Sequence, residues 1–306
     1  MTITAGMVKD LREKTGAGMM DCKSALAETK GDVEAAIDLL RKKGLAKAAK
    51  KGGRIAADGL IGLAVTDGKG AIVEVNSETD FVARGDAFQA FVREVSKLAL
   101  KVDGDLNRLL ASSFPGGGTT AEALTNLIAK LGENMSIRRS AGLAVSPGVV
   151  ASYVHNATGP DLGKIGVLVA VESSGDRAKV AALGKQIAMH IAAASPIAVS
   201  PADVPADVVA RERAIFAEQA KESGKPGNVI EKMVEGRLRK FYEEQVLLQQ
   251  TFVIDGETQV SKVLENASKE LGAKVQVTSF LRFQVGEGMA KKDEDFAAEV
   301  AKQLGK

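Results

Sequence analysis

The chain has 306 residues, 45% of them hydrophobic and 26% charged, which is the balance of a globular protein and not of a disordered one. With one Cys, two His, no Trp and 41 Lys+Arg against 39 Asp+Glu, it has no means of building a disulfide framework or a Cys/His zinc site. No apolar run approaches 18 residues, and the N-terminal MTITAGMVKDLREK lacks the apolar stretch of a secretory signal, so a cytoplasmic protein with no membrane contact is expected.

At about 100–200 residues per domain, this length predicts two or three units. Residues 4–44 read as three short helices. The first carries Val8 and Leu11 and ends at Thr15-Gly16-Ala17-Gly18. The second runs from Met19 to Lys30, with Met19, Cys22, Ala25 and Leu26 at helical spacing. Gly31 stops it, Asp32 caps the third, and Val33, Ala36, Ile37 and Leu40 form the third stripe. Three short helices bury only a small core, so this unit is expected to be marginal alone, to act as a docking piece and to be joined flexibly through 45–54. Cys22, on the apolar stripe, reads as a small core residue.

Net charge is +2, yet RKKGLAKAAKKGGR at 41–54 carries seven basic residues and no acidic one, so the rest of the chain is net acidic. Such a run is either a helix end followed by a linker or a nucleic-acid patch. No aromatic is interleaved for base stacking, which favours the first reading and leaves an RNA- or ribosome-associated protein as the alternative.

The remainder reads as one unit written twice. Gly59–Val65 matches Gly148–Val154 at an offset of 89, and Gly70–Ser77 matches Gly166–Ser173 at 96. At 96 as well, Phe88, Phe91, Val95 and Leu98 meet Gly184, Ile187, Ile191 and Ala194. From Leu131 to Gly148 the match is to Leu271–Gly288 at an offset of 140. The first change of offset lengthens a hairpin at His155–Lys164, and the second is an insertion of 44 residues between Ser195 and about Gln259. Each unit reads strand, hairpin, strand, helix, helix, strand, which predicts an α+β fold: a duplicated α/β-sandwich core of antiparallel sheets with helices.

Within the insertion, Asp207–Glu222 and Asn228–Glu244 are helical patterns joined by Ser223-Gly224-Lys225-Pro226-Gly227. Ile215, Val229, Met233 and Leu238 are expected to form the seam of an antiparallel helical hairpin about 25 Å long. The expected organisation is 1–54 helical domain and basic linker, 55–146 core subdomain 1, 147–200 with 246–288 core subdomain 2, 201–245 helical hairpin and 289–306 C-terminal helical module.

No motif points to bond-making chemistry. Gly159-Pro160-Asp161-Leu162-Gly163-Lys164-Ile165 has the wrong glycine spacing for a phosphate loop and Ile where Ser or Thr must meet magnesium. Gly16-Ala17-Gly18, Gly68-Lys69-Gly70 and Gly286-Glu287-Gly288 lack the third glycine of a dinucleotide loop. The expectation is no catalytic residue, no metal and no cofactor. One segment stands apart, Ser77-Glu78-Thr79-Asp80-Phe81-Val82-Ala83-Arg84-Gly85-Asp86. Phe81 falls beyond the strand alternation and outside the helical stripe beginning at Phe88, with Asp86 expected to cap that helix. It is either an anchor for a partner, beside Asp80, or a lid folded over the sheet end. His155 ends the second unit's first strand at the head of the enlarged hairpin, and His190 follows an apolar helix face, as a partly buried, hydrogen-bonded residue does.

These segments resemble the bacterial elongation factor Ts family. Gly16-Ala17-Gly18-Met19-Met20-Asp21-Cys22-Lys23 with Ala25-Leu26 is similar to its N-terminal signature, and Thr79-Asp80-Phe81-Val82-Ala83 to its second. Ser195-Pro196, Gly224-Lys225-Pro226, Glu231–Arg237 and Arg282–Gly288 resemble its C-terminal half. The resemblance implies an N-terminal three-helix domain of ubiquitin-associated type and a guanine-nucleotide exchange factor for the GTPase elongation factor Tu. It further implies that Asp80 and Phe81 enter the partner near its magnesium site, with Phe81 as a wedge. Met19, Met20, His155 and the hairpin around 205–245 become further contacts, in a one-to-one complex or a dimer of heterodimers. Arg84 stands where the family often has lysine, and Ser112–Gly118 has no clear counterpart.

Overall fold

The computed structural model describes residues 3–289 apart from Gly16, Asp67, Ser223 and Lys225, so the helical module expected at 289–306 lies outside the described residues except for Met289. The chain opens with three helices, α1 (Ala5–Thr15), α2 (Met19–Glu28) and α3 (Val33–Lys51). Val8, Leu11, Cys22, Ala25, Leu26 and Ala36 form their small core, with Ile37 and Leu40 against it. Asp32 caps α3 by accepting from the Ala35 N–H at 3.0 Å. Met19 departs from the expected stripe: as the first residue of α2 it precedes the turn that packs, and it is 59% exposed. The segment expected to be a flexible linker is helical as far as Lys51. Its continuation is stabilised by packing on unit one: a Cβ at Gly44 would lie 3.6 Å from the Ala129 Cβ, and Ala48 packs against that unit's core.

Unit one comprises β1 (Asp58–Thr66), β2 (Lys69–Ser77), α4 (Asp80–Ala83), α5 (Asp86–Lys101), α6 (Leu106–Ala111), α7 (Thr120–Leu131) and β3 (Met135–Ala144). Unit two comprises β4 (Gly148–Gly159), β5 (Leu162–Glu172) and α8 (Arg177–Ala194), then the inserted α9 (Ala206–Lys221) and α10 (Gly227–Gln245), then α11 (Val260–Leu271) and β6 (Gln276–Gln284). The fold is α+β. Each unit has a three-stranded antiparallel sheet with its second strand in the middle, and the two join where Ile61 and Gly62 pair with Gly163 and Leu162.

The duplication extends to register. Gly59 faces Asn76 and Gly148 faces Glu172; Val75 faces Ile137 and Val171 faces Val277. The bulge between Glu74 and Val75 recurs between Ala170 and Val171. All of these pairs keep the offsets of 89, 96 and 140. Glycines recur for a steric reason. At Gly59 (φ +133°) and Gly148 (φ +153°) a Cβ would lie 2.1 Å from the Val75 carbonyl oxygen and 2.3 Å from that of Val171.

Helices cover the outer face of each sheet. Leu60, Val73 and Val75 meet Phe88, Phe91, Val95 and Leu127 in unit one. Val167, Val169 and Val171 meet Val180, Ile187, Ile191 and Leu264 in unit two. Between the sheets lies an apolar layer of Ile61, Leu63, Ile72, Val150 and Leu168. The hairpin α9/α10 closes on itself through Ala220, Val234 and Leu238, with Phe216 and Met233 beside them. Ile215, expected in that seam, is instead exposed, because Phe216 and Ala220 take the inward face of α9.

Candidate functional site

The segment singled out in the sequence begins where β2 ends. Rather than an open loop, it is the single helical turn α4, capped by Thr79, whose hydroxyl oxygen accepts from the Val82 N–H at 3.3 Å. Thr79 is itself held. Its N–H donates to Glu133 Oε2 at 3.1 Å and its hydroxyl to Oε1 at 2.7 Å, while the Ser77 hydroxyl donates to the Thr79 carbonyl at 2.9 Å. Ala83 is buried and Val82 packs partly against the unit-one core, so the base of the turn is anchored. Phe81 points the other way and is 84% exposed, which overturns the lid reading.

Asp80 and Arg84 form an ion pair at 2.8 Å on the exposed side, a contact screened by water that adds little stability. Gly85, not Asp86, occupies the cap of α5; Asp86 is the first residue of the helix, where a carboxylate still favours the helix dipole. At the offset of 96, α4, Arg84–Gly85 and α5 correspond to one unbroken helix, α8, in unit two. Arg177, the equivalent of Phe81 in the first turn of α8, is exposed as well, so the outward position is common to both units and the aromatic is peculiar to unit one.

Met19 and Met20 stand side by side in the first turn of α2, with Met20 74% exposed. His155 is exposed on β4, which does not end there as expected but continues to Gly159 by way of Asn156 (φ +51°) and a register shift after Ala157. His155 Nδ1 and the Tyr153 hydroxyl share a hydrogen bond of 3.2 Å. The structure thus gathers Thr79–Ala83 in one turn but leaves Met19/Met20 and His155 on separate elements, α2 and β4.

Glu133 and Tyr153 also contact these residues, at Thr79 and His155, and neither is marked by a motif. A lone glutamate after a helix carries no local signal; Tyr153 was visible two positions from His155, where strand alternation puts both on one face. His190 is buried more completely than expected, with none of its surface exposed. Its Nδ1 accepts from the Val253 N–H at 3.2 Å, so its Nε2 carries the proton shared with Gln250 Oε1 at 2.8 Å. Burial lowers its pKa, and the Gln250 bond only partly opposes this.

The space between the two sheets, where a substrate cleft would lie, is filled by its apolar layer. Among the described residues there is no cluster of three or more His, Cys, Asp or Glu able to hold a metal, and no helix long and apolar enough to cross a membrane. The loop at 112–118 is a tight turn, with the Phe114 N–H donating to the Gly118 carbonyl and the Phe114 ring 5.5 Å from that of Phe91.

The described residues thus form a duplicated α+β core with a helical module, a hairpin arm and an exposed aromatic on a pinned turn. The family model described as "Elongation factor TS" matches residues 78–287. Proteins named elongation factor Ts from Rhodospirillum rubrum and Rhodospirillum centenum are 62% and 60% identical to it, each aligned over 99% of both chains. One from Bartonella henselae is 56% identical over 98% of both. The chain belongs to the elongation factor Ts family and is a translation elongation factor.

Proposed function

We propose that this protein binds GDP-bound elongation factor Tu, weakens the partner's magnesium and phosphate contacts, and so promotes release of GDP and its replacement by GTP. The observation that carries the reading is Phe81, exposed on a turn whose cap and base are fixed, with the Asp80 carboxylate beside it. A ring left in water on a rigid mount is ready to enter a pocket of a partner at small entropic cost. A carboxylate at the same point suits a site built around a cation and phosphates.

In this reading the chain makes and breaks no covalent bond, so it is not an enzyme and uses no cofactor. It binds the nucleotide-free partner more tightly than the GDP-bound one, and linkage then weakens GDP binding by the same factor. Met19, Met20, His155 and the hairpin act as further contact surfaces. The basic run supports the RNA alternative less well, since Arg41, Lys43 and Arg54 are paired with Glu122, Glu28 and Glu78. Stopped-flow release of fluorescent GDP from elongation factor Tu tests the proposal: release accelerates as the chain is added, and an unchanged rate overturns it. Salt-sensitive RNA binding without exchange would instead support the alternative.

A further inference from the structure

We infer that Glu133 is the positioning residue of the Asp80–Phe81 turn, an inference that rests on the exchange reading above. Glu133 follows α7, 54 residues along the chain from Thr79, and its two carboxylate oxygens accept both donors of that residue. Thr79 in turn accepts from the Val82 N–H, so one carboxylate fixes the cap from which the turn bearing Phe81 is built. The neighbouring Asn134 reinforces this arrangement. Its N–H donates to Glu78 Oε1 at 2.6 Å, and its side-chain amide donates to the Arg54 carbonyl at 2.7 Å.

The second unit serves as an internal control. At the same offsets Thr79 corresponds to Gly175 and Glu133 to Ala273, and these equivalents also meet, since a Cβ at Gly175 would lie 3.3 Å from that of Ala273. Ser173 keeps the position of Ser77 and accepts from the Gly175 N–H at 3.1 Å. Equivalent residues therefore meet in both units, but unit two caps its helix one position later, with the Asp176 side chain accepting from the Lys179 N–H at 2.9 Å, and the carboxylate clasp is present only where the helix is broken and an aromatic is exposed. Unit two brings the equivalent segments together with Asp176 as cap and no carboxylate clasp, so the clasp is not what closes the junction. What the clasp adds is a fixed direction for α4.

Glu133→Ala tests this in the full-length chain with two readouts. The first needs no partner: amide hydrogen exchange at Val82, Ala83 and Arg84 is expected to accelerate about fivefold, in keeping with loss of roughly 1 kcal/mol of hydrogen bonding, while α5 stays protected. The second is maximal GDP release from elongation factor Tu, expected to fall about fivefold with less than a twofold change in the concentration giving half-maximal stimulation. Thr79→Val combined with Glu133→Ala is expected to cost less than the sum of the two single changes, since they share one contact, although Thr79→Val also removes the cap on the Val82 N–H. Unchanged amide exchange, or unchanged maximal release alongside a responsive parent, overturns the assignment. A fall in melting temperature of more than a few degrees does so too, since it would make Glu133 a stabiliser of the fold. If the parent chain itself fails to accelerate release, the exchange reading fails, while the amide measurement still decides whether Glu133 holds the turn.

Discussion

Phe81 and Glu74 mark the two extremes of what a single residue does here. Phe81 leaves its ring in water, so its removal costs the fold almost nothing: Phe81→Ala is expected to shift unfolding by less than about 0.5 kcal/mol, measured by urea denaturation. Glu74 is fully buried on β2. It accepts from Arg138 at 3.1 Å, Arg139 Nε at 2.5 Å, Asn76 at 3.1 Å and the Gly286 N–H at 2.8 Å, tying the exit of β6 to unit one. Burial raises its pKa, but the Gly286 N–H, Asn76 and Arg139 outweigh burial and hold it below its ordinary 4.5. A carboxyl depressed in this way adds stability fully above its unfolded value and loses it as pH falls through the folded one. Glu74→Gln leaves Arg138 without its counter-charge and Arg139 with Glu287 alone, and is expected to cost about 3 kcal/mol at pH 7, the difference from the parent shrinking below about pH 4.

At the scale of elements, the two copies differ where unit one has α4 and α5 and unit two the continuous helix α8. Much of this was legible in the chain. The offsets between the repeats, the hairpin and the three opening helices all follow from apolar spacing and turn residues. The extension of α3 through 45–51 was not legible, because Gly44 and a run of lysines read locally as a helix end, whereas packing on Ala129 and the unit-one core favours continuation. Glu133 was hidden for a related reason: its role exists only once α7 and β2 are brought together.

His190 has an element-level role, since Gln250, which it contacts, also donates to the Glu244 carbonyl at 2.7 Å and so joins α8 to the base of the hairpin. An imidazole with a lowered pKa binds fewer protons folded than unfolded. Its contribution is complete above the ordinary 6.5 and declines as pH falls from there toward the folded value. Urea midpoints are therefore expected to drop between pH 7 and 5.5, and His190→Gln to flatten that drop; equal slopes would exclude His190 as its source.

At the scale of the molecule, two sheets share one apolar layer and one stretch of pairing, so the units are expected to unfold together. Leu168, fully buried in that layer, contacts the partner sheet: a Cβ at Gly70 would lie 3.1 Å from it. Leu168→Ala is expected to cost about 3 kcal/mol and to lower a single calorimetric transition rather than split it. The function proposed for this scaffold depends on a rigid body presenting one small aromatic feature. The most direct measurement compares GDP release from elongation factor Tu driven by the parent chain and by Phe81→Ala at equal, saturating concentrations. Release at least tenfold slower with the variant, at an unchanged melting temperature, is expected; equal release rates would contradict the wedge role of Phe81.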